Sequence, residues 1–151
     1  MHPTARRFEQ RLHELGLDAD VHELADSTRT AQEAAAAVGV NVGQIVKSLV
    51  FMDSGDALLC LCAGDRRVDV AELGENVRQA RGDEVREATG YAIGGVPPLG
   101  HDRLVRTVVD SSLQRFDTVW CAAGTPHAVF PVETAALIAA IPDADVRHLS
   151  E

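Results

Sequence analysis

Apolar residues along this chain recur at two spacings, and the switches between them outline its elements. Ala5, Phe8, Leu12 and Leu15 repeat at helical spacing between Thr4 and Gly16, which predicts an N-terminal helix. Residues 19–24 alternate as a half-buried strand does. Thr30-Ala31-Gln32-Glu33 is a capping-box pattern, in which a hydroxyl and a carboxylate three residues apart satisfy the free N–H groups of a helix start. It opens an alanine-rich helix through Val38 that stops at Gly39. Two apolar runs, 45–52 and 57–63, are separated by Asp53-Ser54-Gly55-Asp56, which reads as a hairpin. Short helices over 69–74 and 83–89 then flank a strand over 76–80, and Gly90 ends the second. Strands over 104–109 and 118–122 are joined by a helical turn over 111–116. A strand over 128–131, a helix over 132–141 ahead of Pro142, and an edge strand over 145–149 complete the chain. The hairpin and the strand-rich second half predict an α/β protein of the α+β type, with a mixed, largely antiparallel curved sheet flanked by helices. No repeat, linker or shift of composition divides it, so one compact domain over residues 1–151 is expected.

Charge narrows the partners. With 14 basic and 23 acidic side chains the formal charge is −9, which argues against tight nonspecific nucleic-acid binding and against DNA. Any RNA must be held locally, and Arg66, Arg67, Arg103 and Arg106 are candidates for a basic rim. No apolar run approaches the ~20 residues needed to cross a bilayer, and no signal-peptide core follows Met1, so a cytoplasmic protein without a membrane partner is expected. Cys60, Cys62 and Cys121 cannot all pair, and Cys60 and Cys62 alternate onto one strand face as small buried hydrophobes. The six histidines show no zinc spacing, and nucleophile-elbow, Walker and dinucleotide motifs are missing, so neither a metal nor a cofactor is expected. His101 and His127, which follow the two Gly/Pro loops, are the histidines to test as auxiliary acid/base groups.

Two features point to chemistry. Gly94-Gly95-Val96-Pro97-Pro98-Leu99-Gly100 cannot continue a helix or a central strand, because proline lacks a donor and fixes φ. It must be a stiff loop whose bare N–H groups can face an anion, a carbonyl oxygen or a water. Lys47 lies inside an apolar strand, sharing a face with Ile45, Leu49 and Phe51. Spacing leaves two readings open: a stem that snorkels to water, or an ammonium directed into a cleft. Asp110, ending a strand, can pair with Lys47, line a cleft or cap the turn at Ser111. Thr30 and Thr125 can act as caps or as pocket hydroxyls, and Tyr91 as a pocket wall or a core ring.

Four patterns, taken together and in order, resemble the YbaK family, which includes the editing domain of bacterial prolyl-tRNA synthetases. They are Ser27-Thr28-Arg29-Thr30-Ala31; Gln44-Ile45-Val46-Lys47-Ser48-Leu49-Val50-Phe51; Gly90-Tyr91 leading into Gly94-Gly95-Val96-Pro97-Pro98; and Ala122-Ala123-Gly124-Thr125-Pro126. The resemblance implies a free-standing trans-editing deacylase that cleaves the ester of a mischarged tRNA without a cofactor, with the tRNA acceptor end and an aminoacyl-tRNA synthetase as partners. It implies Lys47, Gly94 and Gly95 as catalytic residues, and Thr30, Tyr91, Val96, Pro98, Asp110, Gly124 and Thr125 around the substrate. Many relatives carry Ser where Thr125 stands, so the added methyl narrows the pocket. The alternative within the fold is a non-catalytic module that binds an aminoacyl group or docks on a synthetase.

Overall fold

The structure, a computed structural model, describes residues 1–26 and 30–151. Its elements run α1 (Pro3–Glu14), β1 (His22–Glu23), α2 (Ala31–Val38), β2 (Val46–Asp53), β3 (Asp56–Ala63), β4 (Val77–Gln79), α3 (Gly82–Thr89), β5 (Arg106–Asp110), β6 (Thr118–Ala122), β7 (Ala128–Glu133), α4 (Thr134–Ala140) and β8 (Asp145–Arg147). Short 3-10 turns sit at Val42–Gln44, Val70–Glu72 and Ser111–Arg115. Among the described residues no helix is long and apolar enough to cross a membrane.

Local chemistry explains most boundaries. The Thr30 hydroxyl accepts the Glu33 N–H at 3.1 Å and donates to the Glu33 carboxylate, and α2 closes at Gly39. At α1 the cap is His2, whose ring accepts the Thr4 N–H at 3.1 Å; Pro3 begins the helix, and Thr4 is already inside it. The strand expected over 19–24 shrinks to His22–Glu23. Ala19 and Val21 are buried as its pattern requires, but the Val21 N–H bonds the Glu9 carboxylate at 2.8 Å instead of a neighbouring strand.

The expected sheet divides into two. Five strands are ordered β4-β2-β3-β5-β8, with β3 central, antiparallel to β2 and parallel to β5. Three more form the antiparallel order β1-β7-β6. A parallel bridge between Ile45 and Trp120 joins the sheets at the start of β2. The split follows from the short reach of β4, which pairs with β2 only from Phe51 to Asp53. The first half of β2 therefore has an open outer edge, and β6 and α2 come up to that edge without completing the sheet.

The two faces of the larger sheet bury different cores. Val46, Val50, Leu59, Leu61 and Val109 pack with Phe8 of α1 and Phe130 of β7. On the other face Leu49 and Phe51 pack with Leu58, Cys60, Val108 and Leu149. Burial pushes the Cys60 thiol up to about 12 and the Cys62 thiol up to about 11, so both stay protonated packing groups.

Candidate functional site

The open edge of β2 builds a cavity of about 360 Å³ together with α2, β6 and the loop after Tyr91. Thr30, Ala31, Ala34 and Val38 line it from one helical face, Lys47, Ser48 and Leu49 from the strand, and Gly94, Val96 and Thr125 from the two glycine loops. The sequence-predicted residues it brings together are thus Thr30, Lys47, Gly94, Val96 and Thr125. Ser27, Thr28 and Arg29 of the first family pattern lie outside the described residues.

Strand geometry decides what β2 offers here. The Ile45 carbonyl accepts the Gly64 N–H at 2.7 Å on the β3 side, whereas the Val50 carbonyl accepts the Ala80 N–H at 3.0 Å on the other. Backbone groups alternate between the two edges of a strand, so Lys47 bonds toward β3 and Ser48 turns its N–H and carbonyl to the cavity. The Ser48 hydroxyl is buried and has no hydrogen-bond partner among the described residues.

Lys47 lines the cavity, and its ammonium donates to the Arg66 carbonyl. An ammonium carries three donors, so two remain. No carboxylate lies within ion-pair distance of it among the described residues. A cation held by one neutral carbonyl, with donors to spare, on a residue that lines a cavity can receive an anionic or carbonyl oxygen.

In the glycine loop the donors separate. The Gly95 N–H is spent on the Ala92 carbonyl at 3.0 Å, so Gly95 is not the donor expected from sequence. The N–H groups of Gly94 and Val96 have no acceptor among the described residues. Gly95 serves close packing instead. Its carbonyl accepts the Gly124 N–H at 2.9 Å, and a Cβ on it would stand 2.8 Å from the Gly124 oxygen. The two loops are thereby fused into one ridge.

Four further expectations are corrected by position. Pro98 borders a different cavity, formed with Leu99, His101 and Ile141. Tyr91 is a core ring: its hydroxyl donates to the Gly100 carbonyl at 3.1 Å, and its edge packs on Phe8. Gly124 faces the far side of the ridge with Tyr91. Asp110 is fully buried, caps the turn at Ser111–Arg115, and accepts the Leu149 and Ser150 N–H groups at 2.6 and 3.1 Å. Burial works to raise its pKa, but bonds from Ser112, Leu149 and Ser150 prevail and hold it below the usual carboxylate range.

The expected basic rim is also split. Arg66 meets Lys47 through its backbone carbonyl, but Arg103 and Arg106 border another cavity, where Arg106 faces Asp53 at 3.7 Å. Lys47 and Asp53 are six residue steps apart along β2, about 20 Å. His101 is bonded to the Pro97 carbonyl at 2.7 Å and its pKa is lowered by burial, so it braces the loop as a neutral ring. His127 lies exposed on the far side of the ridge. Among the described residues no three His, Cys, Asp or Glu side chains cluster as a metal site requires.

Sequence reasoning missed Ile93, Trp120 and Ser48, all of which line the cavity. Ile93, an apolar residue 61% exposed just ahead of Gly94, carried the one readable signal. Trp120 acquires its place only through the bridge to Ile45.

Known proteins resemble this chain over most of its length. The family model for the aminoacyl-tRNA editing domain matches residues 25–140. An uncharacterized protein of Bacillus subtilis, YwhH, is 39% identical over 111 residues, which is 70% of this chain and 71% of that one. A proline–tRNA ligase of Lactobacillus gasseri is 34% identical over 76 residues, which is 47% of this chain but 14% of the ligase. Among solved structures, a candidate trans-editing enzyme for prolyl-tRNA synthetase superposes with a TM-score of 0.93 at 46% identity, covering 100% of this chain and 99% of the other. A hypothetical protein, APE2540, superposes at 0.85 with 35% identity over 95% and 98% of the two chains.

Proposed function

Because the chain belongs to the aminoacyl-tRNA editing domain family, we propose that it acts, as one domain over residues 1–151, as a trans-editing deacylase in the cytoplasm. Its substrate is the ester that joins a mischarged amino acid to the terminal ribose of tRNA. The observation that supports this most is that Lys47 and Gly94 line one cavity.

The ester is already activated, so a protein nucleophile is not required. A water attacks the carbonyl carbon, the bond to the ribose oxygen breaks, the ribose oxygen takes one proton of that water and becomes a hydroxyl, and the other proton passes to solvent. The amino acid leaves as a carboxylate. The N–H groups of Gly94 and Val96 face the developing oxyanion, and each such donor is worth about 3 kcal/mol. The two spare donors of Lys47 hold a ribose or phosphate oxygen of the terminal nucleotide, or polarise the ester carbonyl. The cavity selects by size, admitting a small aminoacyl group and refusing a larger one. No step passes through a metal ion.

The test is a deacylation screen against a panel of mischarged tRNAs, repeated with chelator and with Lys47→Ala. Hydrolysis of at least one ester, indifferent to chelator and lost in Lys47→Ala, is the expected result. Full activity in Lys47→Ala refutes the role of the lysine. Binding of aminoacyl-tRNA without hydrolysis of any ester identifies a non-catalytic binding module.

A further inference from the structure

The far side of the glycine ridge forms a second cavity, of about 550 Å³. Thr125 borders both hollows, while Ala92, Gly124 and His127 line only the second, so the ridge is the wall between them. Arg7 and Arg11 of α1 and Arg86 of α3 also line the second cavity. Three guanidinium groups in one hollow contrast with the −9 charge of the whole chain.

The charges there are unevenly matched. Arg11 is committed: its guanidinium donates to Asp102 and the Gly100 carbonyl, each at 2.8 Å. Glu23, the other carboxylate of the cavity, is engaged by the N-terminal amine at 3.4 Å and by the His2 N–H at 3.0 Å. Arg7 and Arg86 are exposed, and among the described residues their side chains have neither a hydrogen-bond nor an ion-pair partner. The cavity therefore holds two uncompensated cations beside a wall whose other side is the ester pocket.

We propose that this second cavity receives the phosphodiester backbone of the tRNA acceptor end, with Arg7 and Arg86 each contacting a phosphate. The inference rests on the deacylase reading: a terminal nucleoside seated in the first cavity continues into its single strand, and Thr125, which lines both cavities, is where that strand would pass from one to the other. Arg7 and Arg86 position the RNA and take no part in ester cleavage. Guanidinium groups suit this role, since they present paired donors to phosphate oxygens and remain charged at all working pH values.

The experiment measures deacylation kinetics against salt for the wild-type protein, for Arg7→Gln/Arg86→Gln, and for the charge-reversed Arg7→Glu/Arg86→Glu. The first double variant should raise KM for mischarged tRNA about five- to tenfold at low salt. It should also flatten the log–log dependence of affinity on salt by about 1.4, or about 0.7 per single-strand phosphate contact. The charge-reversed pair should raise KM further. Arg103→Gln/Arg106→Gln, at the distant cavity, should leave the salt slope at its wild-type value. Unchanged KM and slope in the first two variants, with wild-type melting temperatures, overturn the proposal. So does a loss of slope confined to the Arg103/Arg106 pair. If the wild-type protein hydrolyses no mischarged tRNA, the deacylase reading itself fails, and that result is distinct from either of these.

Discussion

The carbonyl of Gly95 accepts the N–H of Gly124 at 2.9 Å, and through that bond two loops far apart in sequence act as one wall. A Cβ at Gly95 would meet the Gly124 oxygen and the Thr125 Cα, both at 2.8 Å. These are backbone atoms, so the loops would have to part. Gly95→Ala is expected to cost about 1–3 kcal/mol of stability, as overpacking does. It should also lower deacylation at least tenfold, because the N–H groups of Gly94 and Val96 move with the loop. Gly94→Ala is the comparison. Its Cβ would meet only Pro126 at 3.6 Å, and its penalty comes from a φ of +91°. Thermal melts beside deacylation rates test the pair, and a Gly95→Ala protein with wild-type rate removes the ridge from the mechanism.

Lys47 makes a different kind of contact. Its ammonium donates to one backbone carbonyl, so removing it leaves no buried charge without a partner. Lys47→Ala is expected to change stability by no more than about 1 kcal/mol, in line with a substitution that opens no core and orphans no ion. Its rate constant should fall by 10² or more if one electrostatic contact in the transition state is lost. Lys47→Arg keeps the charge but lengthens and flattens the head, and should recover only part of the rate. Circular dichroism and single-turnover hydrolysis separate these outcomes. A variant that loses rate only because it unfolds contradicts the assignment.

The features legible in the sequence were those written in a few neighbouring residues. The Thr30–Glu33 cap, the stop at Gly39 and the hairpin turn at Ser54-Gly55 depend on contacts within four positions, and the structure has each. Lys47 and the Gly94 loop stood out because each breaks the pattern around it. What was not legible came from distant pairings. The anchor for Asp110 is the backbone of Leu149 and Ser150, which no local pattern links to it. Arg103 and Arg106 looked like neighbours of Arg66 and Arg67 until the fold placed them at the other end of β2. Gly95 looked like a donor because sequence shows that a glycine is bare, but not that its N–H already bonds Ala92.

Asp110 should govern acid stability. The bonds from Ser112, Leu149 and Ser150 favour its ionised form in the folded chain and hold its pKa down. Above the unfolded value of about 3.9 the carboxylate is ionised in both states and its stabilisation is fully present. As pH falls below that value the unfolded chain takes up the proton first, and the stabilisation is lost progressively down through the folded pKa. Asp110→Asn should therefore cost about 1.5–3 kcal/mol at neutral pH, the range for hydrogen bonds to a charged group. It should also flatten the decline of stability below about pH 4. Urea melts from pH 2 to 7 measure both. An unchanged acid limb in the variant would show that other carboxylates carry it.

The size of the cavity at the open edge of β2 is set by small residues. Ala31, Ala34 and Val38 line the cavity along one face of α2, and Thr125 lines it from the ridge. Ala34 is 6% exposed, so added carbons there must enter either the packing beneath the helix or the cavity itself. Ala34→Val adds two methyl groups, and Thr125→Ser removes one. A methylene at such a wall discriminates by about 1–3 kcal/mol, or 10- to 200-fold. Ala34→Val is expected to lower kcat/KM most for the largest aminoacyl group the wild-type protein accepts. Thr125→Ser should act in the opposite direction and admit a group one carbon larger. The measurement is kcat/KM over a graded series of esters, glycyl, alanyl, seryl and valyl, on one tRNA. If both variants scale every ester by the same factor, the cavity at the open edge of β2 is not where the amino acid is measured.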